Sequence, residues 1–232
     1  MKIDLKKYMN ERDEMRASKK TPGPVITISR QYGCGGTDLA KKLVKEFSKE
    51  KKKRVKTVPW DIINKEILTL SAEDLKIIPR RIEKSVEATD ANVVADLFSS
   101  LSPHYELSDK HIHQAVQDVI MDFAKRGHVI IIGRGGGGIV RSIAKSVRVK
   151  LVAPLEWRIQ SVRDKRGISY EEAKQRIEEM DPKRNQWKMI FNKGKYGDEP
   201  YDLMYNRMHM TDGEIIDSIK SLCFRRELLV PF

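Results

Sequence analysis

Residues 25–37 read VITISRQYGCGGT. A β-rich run (25–29) passes into a glycine-bearing loop (30–36) and then into apolar residues at helical spacing, Leu39, Ala40, Leu43, Val44 and Phe47. Strand, glycine loop and helix in this order place free N–H groups and the positive end of a helix dipole where an anion can sit. Gly33, Gly35 and Gly36 let the backbone approach phosphate oxygens with no Cβ in the way, with Cys34 between them. The Thr37 hydroxyl is placed to ligate magnesium. Against the phosphate-binding pattern G-x-x-x-x-G-K-[ST], Arg30 stands at the first glycine, Gly35 and Thr37 match, and Gly36 replaces the lysine.

Working outward, the same alternation recurs. Val55, Thr57, Val58 and Trp60 predict a second strand ending at Pro59-Trp60-Asp61, and the polar text of about 62–108 predicts a helical insertion. Ala115, Val116, Val119, Ile120, Phe123 and Ala124 form a helix stripe that Gly127 ends. VIII (129–132) suits a central parallel strand, and GRGGGG (133–138) leads into a helix through Ile139, Val140, Ile143 and Ala144. Val147 to Val152 predict another strand, followed by a helix over Leu155, Ile159 and Val162 and a further one opened by the capping box Ser169-Tyr170-Glu171-Glu172. YDLMYN (201–206) predicts a last strand, and Thr211-Asp212-Gly213-Glu214 caps a final helix. Alternating strands and helices imply an α/β sandwich around a mainly parallel sheet. A charged arm (1–22), a main domain (23–224) and a short tail (225–232) complete the organisation.

The chain has 232 residues, 40% of them apolar, so about 72% of its surface is expected to be buried, enough for one substantial core. No apolar stretch is long enough to cross a bilayer, the amino terminus has no signal-like apolar region, and two cysteines suit a reducing compartment; the expected location is cytoplasmic. A net charge of +12 admits nucleic acid, acidic lipid or phosphorylated small molecules. The lysines of 41–56 lie above an apolar stripe and read as a solvated helix face rather than a nucleic-acid patch.

Five ordered segments, ITISRQYGCGG, PWDIINKEI, VIIIGRGG, VAPLEWRIQSVRDKRGISYEEAKQRIEEMDPKR and YDLMYN, together resemble the cytidylate kinase-like family of P-loop nucleoside monophosphate kinases. The resemblance implies a three-layer P-loop sandwich with a helical acceptor-binding insertion and a helical lid at about 155–195. It also implies transfer of the γ-phosphoryl group of ATP, with Mg2+, to a nucleoside monophosphate, a CMP-like one being the expected acceptor. Arg134 matches the arginine of the family's Gly-Arg segment and is expected to hold the acceptor phosphate. Asp61, just past the second strand, and Asp181 are expected on the acceptor side. Arg158, Arg163 and Arg184 are expected to close on the transferring group, because phosphoryl transfer needs converging positive charge more than it needs a nucleophile. Arg30 is expected to fold back over the loop in place of the missing lysine, and Asp61 to serve for the acid that Ile132 replaces.

Two other readings remain open. One is a catalytically weak or inactive module that binds nucleotide or nucleic acid; the other is a dinucleotide site at Gly133, Gly135 and Gly138, which fit G-x-G-x-x-G after a strand. Cys34, before a helix amino terminus, is in a setting that lowers a thiol's pKa, so nucleotide is expected to protect it from alkylation. No metal-ligand spacing links His111, His113, Cys34 and Cys223, and the oligomeric state is left open.

Overall fold

The computed structural model describes residues 23–49, 58–64, 109–191 and 201–229. The expected arm and nearly all of the expected insertion lie outside these residues.

Five strands, β1 (Val25–Arg30), β2 (Asp61–Ile63), β3 (Val129–Ile132), β4 (Ser146–Val152) and β5 (Leu203–Asn206), form one parallel sheet in the order β2-β3-β1-β4-β5. The helices are α1 (Gly36–Lys49), α2 (Asp109–Arg126), α3 (Gly136–Ile139), α4 (Leu155–Arg166), α5 (Tyr170–Phe191) and α6 (Asp212–Arg225). Side chains alternate across the sheet. Ile26, Ile28, Ile130, Ile132, Val149 and Leu151 meet α1 and α6 on one face; Val25, Val129 and Ile131 meet α2 on the other. A third, smaller core joins α4 to α5 through Ile159, Val162, Ala173 and Ile177, with Tyr32 packed against it.

Chain crossovers run one way from β1 and the other way from β4, so the carboxyl ends of these neighbouring central strands open a crevice at a topological switch point. The loops after β1, β3, β4 and β5 surround it. Both expected capping boxes are present: the Ser169 amide donates to Glu172 at 2.8 Å, and the Thr211 amide donates to Glu214 at 2.8 Å.

Three boundaries differ from expectation. Pro59 has no N–H to give a ladder and Val58 is exposed, so β2 begins only at Asp61 and includes residues 62 and 63 of the expected insertion. After β3, consecutive glycines support only the four-residue α3, which tightens into a 3-10 turn over Val140–Ser142 before Ile143 turns extended. The expected tail boundary at 225 falls inside α6, and the residues beyond it are tied to the sheet: Leu228 is buried, and Arg226 donates to Ser146 O and to Asp202, both at 2.8 Å.

Asp202 also accepts from the Arg148 side chain, at 3.1 Å and 3.2 Å, and from its amide at 2.7 Å. Burial pulls its pKa up, but the bonds from Arg226 and Arg148 outweigh this and hold it at about 2, against an ordinary 3.8. A depressed carboxylate pKa gives stability that is full above the unfolded value and lost as pH falls through the folded one. Unfolding in urea between pH 5 and pH 2 should therefore show a loss of about 2 kcal/mol in the parent chain that is missing in Asp202→Asn.

Candidate active site

The loop after β1 closes tightly onto its neighbours. Gly33 and Gly35 adopt φ values of 90° and 67°, and an added Cβ at Gly33 would lie 2.9 Å from the carbonyl oxygen of Arg158. The Gln31 amide donates to Leu151 O, while its side chain accepts from the Ala153 amide at 3.0 Å, so the loop is tied to the end of β4. From there the Gly35 carbonyl starts α1, and Thr37 is exposed as the second residue of that helix.

Arg158 and Asp181 form the brace behind this loop. Arg158 is 6% exposed; its Nη1 donates to Asp181 at 2.5 Å and to Tyr32 O at 3.3 Å, and its Nε donates to Ala153 O at 3.2 Å. The other oxygen of Asp181 accepts from the Tyr32 amide at 2.8 Å, and Ser161 donates to Gly33 O at 2.9 Å. Helices α4 and α5 thus hold the shape of the glycine loop.

In front of the loop stands a group of three arginines. Arg30 runs from the end of β1 past Gly36 to the turn after β3, where an added Cβ at Gly133 would overlap its Nη1. Arg134 holds a φ of 53° at that turn, with its guanidinium 4.6 Å from the centre of the Trp187 ring. Arg184 reaches in from α5, donates to Arg30 O at 3.3 Å and lies 5.0 Å from the Tyr32 ring. Burial first, then the charges of Arg184 and Arg134, push the Arg30 guanidinium down to about 9. Burial and then Arg184 push Arg134 down to about 10, and burial also lowers Arg184. Three partly buried cations that repel one another make a site shaped for an anion. A cleft of about 460 Å3 opens beside them, between α5 and the sheet, with Lys150 and Lys188 on its walls.

Several expectations change here. Asp61 opens β2 and pairs with Val129 at the start of β3, so it sits at the amino end of the sheet, where Arg126 Nη2 lies 3.4 Å from it. The site lies four residues further along β3, about 13 Å away, so Asp61 is placed neither for an acceptor nor for the acid that Ile132 replaces. Arg163 is exposed on α4 and donates to Gln160 at 3.0 Å, away from the arginine group. Five helical residues turn the chain about 500°, which places Arg163 on a different face from Arg158. Only the stem of Arg30 crosses its own loop, at Gly36; its guanidinium lies at Gly133.

Cys34 is 1% exposed, and burial, outweighing the nearby Arg158, pushes its thiol up to about 11. It is a sluggish nucleophile, so its alkylation rate is a poor gauge of nucleotide binding. The glycines of 133–138 give their space to this chain's own side chains. Arg30 fills the room at Gly133, and an added Cβ at Gly135 would lie 3.0 Å from Phe191 Cγ. That use, and the shortness of α3, remove the geometry of a dinucleotide fingerprint.

Other features lie outside the expected site residues. Trp187 and Phe191 stack with ring centres 6.0 Å apart, with His113 edge-on to Trp187 at 5.4 Å, and they pack α5 against the second core. Arg207, directly after β5, pairs with Asp212 at 2.6 Å and lies 3.9 Å from the position of a Cβ on Gly35. An arginine at the carboxyl end of a strand, like Arg134, was the available signal for it.

A family model described as the cytidylate kinase-like family matches residues 25–209. The chain belongs to the cytidylate kinase-like family. A cytidylate kinase of Ignicoccus hospitalis is 30% identical over 119 residues, covering 50% of this chain and 67% of that protein. Among solved structures, an uncharacterized protein from Eubacterium ventriosum superposes with a TM-score of 0.61 over 87% of this chain and 98% of its own, at 19% identity, which shows a shared fold. For this member of the cytidylate kinase-like family, the parallel sheet and the glycine loop at the head of α1 are those of an α/β P-loop kinase. Family membership supports a nucleotide kinase, a phosphotransferase. Among the described residues, no helix is long and apolar enough to cross a membrane.

The Arg30 stem explains a departure within this family member. An added Cβ at Gly36 would lie 3.2 Å and 3.3 Å from Arg30 Cγ and Cδ. Restoring the consensus lysine by Gly36→Lys should therefore displace Arg30 from the arginine group. Phosphoryl-transfer rate should fall at least about tenfold, the cost of one misplaced charge contact; a rate at or above that of the parent chain would show that the space is free.

Proposed function

We propose that the protein transfers the γ-phosphoryl group of ATP to a nucleoside monophosphate, with a CMP-like acceptor. The observation that carries this reading is the convergence of Arg30, Arg134 and Arg184 in front of a glycine loop at a helix amino terminus. Phosphoryl transfer demands just this: positioning of two phosphates and fixed positive charge for the negative charge that spreads between them.

In this reading the loop from Arg30 to Thr37 cradles the donor phosphates through its backbone N–H groups. Arg134 takes the acceptor phosphate, and Arg184, on the lid, bridges to the transferring group. Arg158 and Asp181 act as positioning residues, since they are spent on each other and on the loop. Magnesium fits the head of α1 through few protein ligands: Thr37 is exposed there, and Asp38 is paired with Lys165. Such an ion takes most of its oxygens from phosphates and water, and when bound it would neutralise charge on the donor phosphates. The aromatic pair of α5 covers the turn after β3, Trp187 against the Arg134 guanidinium and Phe191 against Gly135, and so holds Arg134 in place.

A second reading, nucleotide binding without turnover, is favoured by Gly36, since no lysine rises from the loop. One experiment separates the two: ADP release with ATP and Mg2+, scored over a panel of nucleoside monophosphates. Release stimulated at least tenfold by CMP supports the proposal. Saturable ATP binding with no stimulation by any monophosphate would leave the binding module standing.

A further inference from the structure

Gly36 leaves the donor side of the site without the lysine of the phosphate-binding pattern, and the Arg30 head is turned toward Gly133. A different cation stands at the loop. Arg207 follows β5, its amide donating to Val152 O at 2.8 Å, so the backbone fixes it at the carboxyl end of the sheet beside β4. Its side chain is 13% exposed, and its Nη2 is the nearest atom to the open side of Gly35. Nε and Nη1 are buried without a hydrogen-bond partner among the described residues.

The charge balance around Arg207 is uneven. Asp212, at the first turn of α6, is shared between Arg207 and Lys42, so one carboxylate faces two cations. Asp38, whose Oδ2 lies 4.0 Å from the position of a Cβ on Gly35, is matched by Lys165. Among the ion pairs of the described residues at this end of the sheet, three cations, Lys42, Lys165 and Arg207, meet two carboxylates, and the Arg207 charge helps to lower the Cys34 thiol inside the loop against the effect of burial. Guanidinium donors left unsatisfied in a buried place are costly. The atom of this guanidinium that faces the loop is Nη2, 3.9 Å from the position of a Cβ on Gly35, where an anion held by the loop would meet it.

We infer that Arg207 is the cation for the donor's polyphosphate chain, taking from the β5–α6 connection the part that the loop lysine plays in the consensus pattern. This rests on the reading of the 30–37 loop as the donor site. The Lys42–Asp212–Arg207 chain holds the guanidinium against the loop, and the shared carboxylate keeps it from being neutralised.

The test compares three probes, ATP, adenosine and inorganic tripolyphosphate, binding to the full chain and to Arg207→Gln and Arg207→Lys by calorimetry. Arg207→Gln should weaken tripolyphosphate and ATP at least twentyfold and leave adenosine within twofold, while Arg207→Lys, which keeps the charge, should stay within about fivefold for all three. In the parent chain, the Arg207 side-chain Nε–H resonance, assigned by its loss in Arg207→Lys, should shift with tripolyphosphate and not with adenosine; this holds even if Arg207→Gln fails to fold. Equal losses for ATP and adenosine would assign Arg207 to the base and overturn the inference. Unchanged affinities or an unmoved resonance, with ATP still bound, would overturn it while leaving the donor site intact. No binding of ATP by the parent chain would remove the donor-site reading, and the inference with it.

Discussion

Arg134→Ala should lower acceptor-stimulated ADP release by about 100-fold to 1,000-fold, the usual cost of removing one preorganised charge contact from a transferring group. ATP binding should change less than threefold, because the donor loop follows β1 and Arg134 follows β3. The loss should appear in kcat/KM for the acceptor, and the fold should tolerate the change. Alanine keeps the left-handed backbone that arginine already tolerates there at a φ of 53°. The lost contact with Trp187 is worth about 0.5–1 kcal/mol, and relief of repulsion from Arg30 and Arg184 offsets part of it. Steady-state kinetics alongside thermal unfolding separate the two effects. A variant that keeps full acceptor-stimulated release would move the acceptor phosphate away from the turn after β3.

Gly135→Ala should be the most damaging single change to the fold of the site. The residue has a φ of 68°, and its new Cβ would lie 3.0 Å and 3.1 Å from Phe191 Cγ and Cβ, atoms near the root of that side chain that cannot swing away. Left-handed strain of about 1 kcal/mol and overpacking of about 1–3 kcal/mol add to a loss of about 2–4 kcal/mol. For a chain of this size that lowers the melting temperature by about 5–15 °C. Phe191 would be driven off the turn, taking the carboxyl half of α5 and Arg184 with it, so phosphoryl transfer should fall as well. Adding Phe191→Ala should restore part of the stability lost to Gly135→Ala, since the two residues share one space. Strictly additive losses would show that the clash is absorbed elsewhere.

Much of the sheet was legible because its signals are local. The apolar run 129–132, the stripe of α2 and the two capping boxes all state their structure within a few residues. So did the glycine loop, whose position between β1 and α1 follows from neighbours in sequence. Asp61 was misplaced by a shift in one strand, for which Pro59 was the visible warning. What the sequence hid was long-range. Arg158 and Asp181 are 23 residues apart and look alike as free charges, yet they satisfy each other and the Tyr32 amide. Cys34 shows the same limit: a helix amino terminus favours a thiolate, but burial beneath the loop outweighs it.

Pro182 stands within α5, between Asp181 and Arg184. Proline gives up the amide bond to the preceding turn, so the helix is weakest at this point. Its amino half is packed on α4 through Ala173 and Ile177, and its carboxyl half on the far core through Trp187 and Phe191. The two halves are thus anchored to different bodies with a soft joint between them. The joint carries the latch on the donor loop on one side and the bridging arginine on the other. A bend there would carry Arg184 away with the carboxyl half while Asp181 kept its hold on Arg158 and the Tyr32 amide, so the arginine group could open without loosening the loop.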